Sequence, residues 1–247
     1  MCSIHCSKNT FLWSVISRIT IQSTDSKPFL TQWAEQAGAD ALELNIYWIP
    51  TDPELTGADV EFRYREIVAQ VRRTISIPIA VKLSPFFSSL PSMAKLLVEA
   101  GAGGLVLFNR FYQPDIDPES LTVTPDILLS TPMSLRLPLR CIAILRSRIK
   151  ASFAATSGVH QAVDVLKLVM AGADVTMLCS ALLRHGIGHL AVIERELVQW
   201  LETHEYQSLA QLKGTMSQKK HPDPSAFERT QYVRGLSTSW KENAVSS

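Results

Sequence analysis

The chain is poor in cysteine, has no excess of charge of either sign and contains no long apolar run. Its 247 residues include four cysteines, and 24 basic residues are balanced by 23 acidic ones. Cysteines this few exclude a disulfide scaffold and predict a reducing, cytoplasmic setting, and their scatter predicts no metal site. The balanced charge predicts that neither nucleic acid nor a membrane surface is a partner.

No stretch approaches the roughly 20 apolar residues that a membrane span requires. Hydrophobic residues make up 46% of the chain and charged residues 19%. This composition is typical of one large globular α/β domain. A small-molecule substrate is therefore the expected partner.

A repeated unit organises the chain. In it a helix ends at Ala-Gly-Ala and an apolar strand follows, and the copies span residues 34–45, 97–109 and 168–180. The central glycine of each copy suits the left-handed position just past a helix. The strands are apolar enough to be buried on both faces, which is typical of parallel sheets in α/β folds.

Further strands are predicted between these copies. Residues 78–83 follow a helical stretch at 59–74, residues 151–156 follow a basic helical stretch, and residues 18–23 form a weaker strand. Strand and helix thus alternate, as in a (β/α)8 TIM barrel, but about six strands are recognisable where a closed barrel needs eight. We expect an α/β barrel that is incomplete at its N-terminus.

The domain organisation follows from this pattern. Residues 27–216 are expected to form the barrel domain, after an unassigned segment 1–26 and before a polar tail at 217–247. A helix is predicted at 189–203. The longest insertion, 111–132, is expected to form a loop over the active face.

Candidate functional residues close the strands, because binding and catalysis in parallel barrels occur at the carboxyl ends of strands. Asn45 and Asn109 end two strands, although an asparagine there can equally cap the next turn. Lys82 follows four apolar residues, and its amine is predicted to neutralise a bound anion or to form a Schiff base. The alternative for Lys82 is a lysine whose amine reaches the surface.

Two phosphate sites are predicted at the last strands. Thr156-Ser157-Gly158 precedes a helix at 161–171, whose exposed amides would favour an anion, and Cys179-Ser180 precedes a shorter helix. Two ordinary strand-to-helix turns are the alternative.

The strand ends together resemble the dihydroorotate dehydrogenases. The residues that carry the resemblance occur in the family's order: Glu43-Leu44-Asn45, Val81-Lys82-Leu83-Ser84-Pro85, Phe108-Asn109-Arg110, Thr156-Ser157-Gly158-Val159, Ala171-Gly172-Ala173-Asp174 and Cys179-Ser180-Ala181. The resemblance covers about the last three quarters of the family fold. It implies a barrel of the FMN-dependent type, in which dihydroorotate is oxidised to orotate in pyrimidine biosynthesis.

The resemblance also implies roles for residues of this chain. Lys82 would lie beside the flavin ring and stabilise its reduced, anionic form. Asn45 and Asn109 would bind substrate or flavin. The FMN phosphate would be held by Ser157, Gly158, Cys179 and Ser180, mostly through backbone amides. Some members of the family are dimers, so a homodimer is a further expectation.

The chain departs from the family directly after Asn45. The family has Asn-x-Ser-Cys-Pro-Asn, whereas this chain has Asn45-Ile46-Tyr47-Trp48-Ile49-Pro50. The catalytic cysteine or serine has no equivalent, and Tyr47 and Trp48 occupy the position of the base. A phenol, with a reference pKa of about 10, needs strong activation to accept a proton.

Two other hypotheses remain open at this point. One is a phosphate-binding barrel lyase or aldolase that uses Lys82 as a Schiff-base nucleophile. The other is a non-catalytic barrel remnant.

Overall fold

The computed structural model describes residues 2–7, 10–12, 16–21, 28–110, 113–124 and 128–228. Its strands are β1 Cys2–Ser7, β2 Thr10–Leu12, β3 Ile16–Ile21, β4 Ala41–Ile46, β5 Ile79–Leu83, β6 Gly104–Leu107, β7 Asp115–Asp117, β8 Thr122–Thr124, β9 Ser152–Thr156 and β10 Val175–Leu178. Its helices are α1 Pro28–Gln36, α2 Gly57–Thr74, α3 Leu90–Glu99, α4 Arg136–Leu145, α5 Ala162–Ala171, α6 Ser180–His185, α7 His189–Thr203 and α8 Leu209–Leu212. Two 3₁₀ helices span Pro132–Leu135 and Pro224–Phe227.

The main sheet has the strand order β2-β1-β10-β9-β6-β5-β4-β3. Within this order, the strands β10-β9-β6-β5-β4-β3 each pair in parallel with their neighbours. Strand β1 is antiparallel both to β10 and to β2. The six parallel strands, β3, β4, β5, β6, β9 and β10, confirm the expected number. Since β2 and β3 are the outermost strands of the described sheet, the fold is a partial (β/α) barrel.

The two faces of the parallel strands carry different side chains, as the period of two in a strand requires. Outward-facing residues such as Leu44, Val81 and Phe153 are fully buried against the helices in the main core. The inner face carries smaller residues, and Val106, Val175 and Met177 form a second, minor cluster there. Most of the apolar burial that stabilises the fold therefore lies between the sheet and its helices.

The repeated unit has the predicted backbone conformation. Gly38, Gly101 and Gly172 all have positive φ, at 86°, 111° and 123°. At Gly172 a Cβ atom would also lie 2.5 Å from Cγ of Arg146, whereas nothing lies within 4 Å of the corresponding position at Gly38. Nη1 of Arg146 also lies 3.2 Å from Oδ2 of Asp174, the residue before β10. The side chain of Arg146, the residue after α4, thus packs against both Gly172 and Asp174 in the last copy of the unit.

The predicted helix at 189–203 is confirmed as α7, which buries Leu190, Ile193 and Leu197. Ser217 and Gln218, at the start of the predicted tail, are buried, and the Gln218 amide donates to the Ala143 carbonyl of α4 at 2.9 Å. In the described part of the chain, no helix has the length and apolarity of a membrane span.

Candidate functional site

A cavity of about 360 Å³ opens at the carboxyl ends of the parallel strands. Its walls are formed by Asn45, Tyr47, Lys82, Phe108, Asn109, Arg110, Leu128, Leu129, Ser130, Thr156, Ser157, Gly158, Val159, Met177, Cys179, Ser180 and Leu183. All seven residues predicted to bind substrate or cofactor are among them. The structure therefore brings together residues that lie up to 135 positions apart in the sequence (Asn45 to Ser180).

Lys82 lies at the floor of the cavity. It is 7% exposed, and β5 places it opposite Asn45 of β4. Its Nζ lies 3.9 Å from Oε1 of Glu43, whose side chain is only 2% exposed. The cavity floor therefore places a buried amine beside a buried carboxylate.

Asn109 ties together the ends of two strands. Its backbone amide donates to the Leu83 carbonyl at 2.6 Å. Its side-chain nitrogen makes long contacts of 3.5 Å with the carbonyls of Ile46 and Lys82. The residue thus lies on the floor of the cavity and also fixes the ends of β4 and β5 there.

Tyr64 of α2 fixes the end of β4 from the other side of the sheet. Its hydroxyl donates to the Ile46 carbonyl at 3.4 Å. Burial raises the pKa of Tyr64 to about 12, so it remains a hydrogen-bond donor at neutral pH. The strand end that precedes Tyr47 is therefore rigidly placed.

The turn after β9 has two successive residues in the left-handed region. Ser157 has φ of 80° and Gly158 has φ of 77°. A Cβ atom at Gly158 would lie 2.2 Å from the Leu135 backbone nitrogen, so only glycine fits. At Ser157 this conformation costs a non-glycine residue about 1–2 kcal/mol.

Two backbone amides just before α5 are capped by the helix's own side chain. Oδ2 of Asp164 accepts from the backbone amides of His160 and Gln161, each at 3.0 Å. These two amides are therefore not open to an anion, because the carboxylate of the third helical residue occupies them. The turn residues Ser157 and Gly158 remain at the cavity.

The turn after β10 also lines the cavity. Cys179 is exposed and follows the strand, and Ser180 begins α6. Oγ of Ser180 accepts a hydrogen bond from the Ser130 amide at 2.9 Å. The Ser180 side chain therefore holds a neighbouring segment at this turn.

Tyr47 and Trp48, which occupy the position of the base in the sequence pattern, point in different directions. Tyr47 lines the cavity. Trp48 does not, and the Arg63 guanidinium of α2 lies 4.5 Å from its ring centroid. Trp48 therefore packs against the helical side of the sheet. Of these two residues, Tyr47 alone lines the cavity.

Several lining residues were missed in the sequence. Leu128, Leu129 and Ser130 come from the insertion predicted to form a loop over the active face, which also contains the small hairpin of β7 and β8. No motif marks Ser130, since its position depends on distant hydrogen bonds.

The charge of the described lining residues is one-sided. Lys82 and Arg110 are cationic, and among the lining residues that the structure describes none is an aspartate or a glutamate. A cavity with this lining favours an anionic ligand. Its volume lies within the range of about 300–1,000 Å³ found for small-molecule sites.

Known proteins that are similar in sequence to this chain include dihydroorotate dehydrogenases. The catalytic subunit of dihydroorotate dehydrogenase B (NAD(+)) from Oceanobacillus iheyensis is 27% identical over 207 residues, which cover 79% of this chain and 66% of that protein. Dihydroorotate dehydrogenase A (fumarate) from Limosilactobacillus reuteri is 30% identical over 159 residues, covering 62% of this chain and 51% of that protein. The chain is a relative of the dihydroorotate dehydrogenases.

A wider similarity extends to the chloroplastic dihydropyrimidine dehydrogenase (NADP(+)) of Arabidopsis thaliana, 22% identical over 80% of this chain. No protein-family model matches the sequence. The chain spans about half to two thirds of the length of these relatives. The resemblance found in the strand-end motifs is thus confirmed.

Proposed function

We propose that the chain binds FMN in this cavity and is an oxidoreductase acting on a reduced pyrimidine ring. The observation that carries the proposal is the convergence of Lys82, two asparagines and two tight turns on one anion-favouring cavity. The names of the relatives, dihydroorotate and dihydropyrimidine dehydrogenases, support a reduced pyrimidine as the substrate class.

The residues present fit FMN. The turns at Ser157-Gly158 and Cys179-Ser180 would hold the phosphate through backbone amides. Lys82 would lie near the flavin ring, where a fixed positive charge stabilises negative charge. When bound, FMN supplies the capacity to accept a hydride equivalent from a C–H bond.

The chain's own residues would perform the remaining steps. Asn45 and Asn109 orient the substrate by hydrogen bonds on the cavity floor. Tyr47 lines the cavity and stands in the position of the family's base, so its hydroxyl would carry the substrate proton. Because a phenol is a poor base at neutral pH, we expect slow turnover.

Glu43 argues against a lyase or aldolase. A Schiff-base lysine must attack as the neutral amine. Here the Glu43 carboxyl group lies 3.9 Å from Nζ of Lys82, an ion-pair geometry that an attack by this amine would have to give up. The same pairing suits a residue whose role is to keep a positive charge beside an anionic ligand.

The test is reconstitution of the folded 247-residue chain with FMN. We expect a yellow complex, loss of the bound flavin in Lys82→Gln, and retention in the control Lys95→Gln, whose side chain on α3 is 69% exposed. A folded chain that shows no flavin absorbance after reconstitution would overturn the proposal.

The reaction is tested separately on the same sample. Dihydroorotate oxidation with fumarate, NAD+, a quinone or a dye as acceptor should be detectable but slow. Bound FMN without turnover on dihydroorotate or dihydropyrimidines would support the non-catalytic remnant instead.

A further inference from the structure

One wall of the cavity is formed by a segment that no strand-end motif includes. Residues 128–135, called here the wall segment, begin with the lining residues Leu128, Leu129 and Ser130 and end in the 3₁₀ helix Pro132–Leu135. Leu128 is 65% exposed, whereas Ser130 is 5% exposed. The wall segment is therefore anchored at Ser130 and open to solvent at its start.

Two side chains from different loops hold Ser130. Its amide donates to Oγ of Ser180 at 2.9 Å. Its own Oγ lies 3.4 Å from Nε2 of His160, a contact between two buried groups. The anchor thus connects the wall segment to the turns after β9 and β10.

His160 is itself fixed at both ends of its backbone. Its amide donates to Asp164 Oδ2 at 3.0 Å, and its carbonyl lies 2.8 Å from Nε2 of His189. His160 is 7% exposed and does not line the cavity. The His160 side chain contacts the cavity wall at Ser130.

The other end of the wall segment rests on Gly158. The space that a Cβ atom of Gly158 would fill is occupied by the backbone of Ser134 and Leu135. Both ends of the wall segment therefore contact loops that carry the proposed phosphate turns. A change in those loops would move the wall, and a displaced wall would change the shape of the cavity.

We propose that His160 is a positioning residue, which with Ser180 holds the wall segment in place so that Leu128 and Leu129 enclose the ligand. The fixed wall is a property of the chain without ligand. Its effect on FMN affinity rests on the proposed function.

The first measurement is hydrogen exchange of residues 128–131 in the 247-residue chain without ligand. We expect slow exchange at the Ser130 amide in the wild type. Ser180→Ala should accelerate it roughly three- to tenfold, the effect of one lost hydrogen bond. Ser130→Ala and His160→Leu should loosen the same peptide, while His160→Gln, which retains a polar nitrogen, should restore part of the protection.

The second measurement is FMN affinity in the same variants. We expect Ser130→Ala and His160→Leu each to weaken binding by roughly three- to tenfold, and the double variant to be no weaker than the worse single variant, because both remove one contact. Glu119→Gln in the exposed turn between β7 and β8 is the control that should change neither readout.

The outcomes separate the two proposals. Unchanged exchange at 128–131 in both Ser180→Ala and His160→Leu would overturn the positioning role. Additive losses of FMN affinity would overturn it as well. If hydrogen exchange responds as expected but neither the wild type nor any variant binds FMN, the positioning role of His160 is confirmed and the proposed function fails.

Discussion

The two sides of the cavity differ in how their strand ends are built. On the side of β9 and β10, Gly158 and the hydrogen bond from Ser130 to Ser180 build a close-packed set of turns. On the side of β4, Asn45 and Tyr47 line the cavity, whereas Trp48 turns away to pack under Arg63. The difference teaches that, in the proposed function, the groups that would hold the ligand and the group that would carry the proton lie on separate strand ends.

We expect different effects on the two sides of the cavity. Substitutions on the β9 and β10 side should weaken FMN binding, and substitutions on the β4 side should slow turnover while FMN binding stays intact. Lys82 lies on the floor between the two and should affect both stability and binding.

The largest effect is expected for Lys82→Met. Removing one partner of a buried ion pair takes a positive charge away from the buried Glu43 carboxylate, which should lower the free energy of unfolding by about 4 kcal/mol. Urea denaturation measures the loss. Adding Glu43→Gln should recover a large part of it, and no recovery would show that the 3.9 Å pairing is energetically unimportant.

The next effect is expected for Gly158→Ala, which tests the β9 side. The new methyl group would meet the Leu135 backbone at a residue with φ of 77°, so we expect a loss of about 3 kcal/mol and at least tenfold weaker FMN binding.

Gly38→Ala is the matched control for this substitution. Gly38 has φ of 86° but open space around it, so only the backbone penalty of about 1 kcal/mol should appear. Equal losses in the two variants would contradict the proposed contact between Gly158 and the wall segment.

Tyr47→Phe tests the β4 side. It removes a hydroxyl from the cavity and leaves the turns after β9 and β10 intact, so FMN affinity should stay within about twofold while turnover falls at least tenfold. Flavin titration and steady-state kinetics check the two parts. Because Trp48 faces α2, Trp48→Phe should leave FMN affinity and turnover unchanged. A larger loss of turnover in Trp48→Phe than in Tyr47→Phe would contradict the role proposed for Tyr47.

The smallest effect is a pH dependence from His160. Burial is the main cause that lowers its pKa, and it is assisted by Arg184 and His185 of α6 and opposed by the contact with Ser130 and by Asp164 of α5. His189 of α7 contacts its carbonyl.

Since the unfolded state then binds a proton more readily, stability should fall as pH drops below about 6.5 towards the folded pKa. His160→Gln should flatten this slope in urea denaturation at several pH values. An unchanged slope would assign the dependence to another group.

Much of the fold is encoded locally and could be predicted. The Ala-Gly-Ala units mark helix ends and buried strands because glycine conformation and apolar runs are local properties, and α7 was predicted with its observed bounds. The antiparallel β1–β2 hairpin was not predicted, because pairing at a sheet edge depends on the partner strand.

The site shows the same division. The residues that close strands were predictable, since parallel strands bring their carboxyl ends together. The occupation of the α5 amides by Asp164, the hydrogen bonds of Ser130 and the rotation of Trp48 towards Arg63 were not, because each depends on side-chain contacts between segments. Of these, only Asp164 carried a signal, as the acidic third residue of a helix.

The central claim is that the turns after β9 and β10 hold a phosphate group. The most direct test is the ratio of the affinities of the wild-type chain for FMN and riboflavin, which differ by that phosphate, measured by fluorescence titration. The account predicts that FMN binds roughly a hundredfold tighter, as expected for charge-assisted hydrogen bonds to backbone amides. Equal affinities for the two flavins would contradict it.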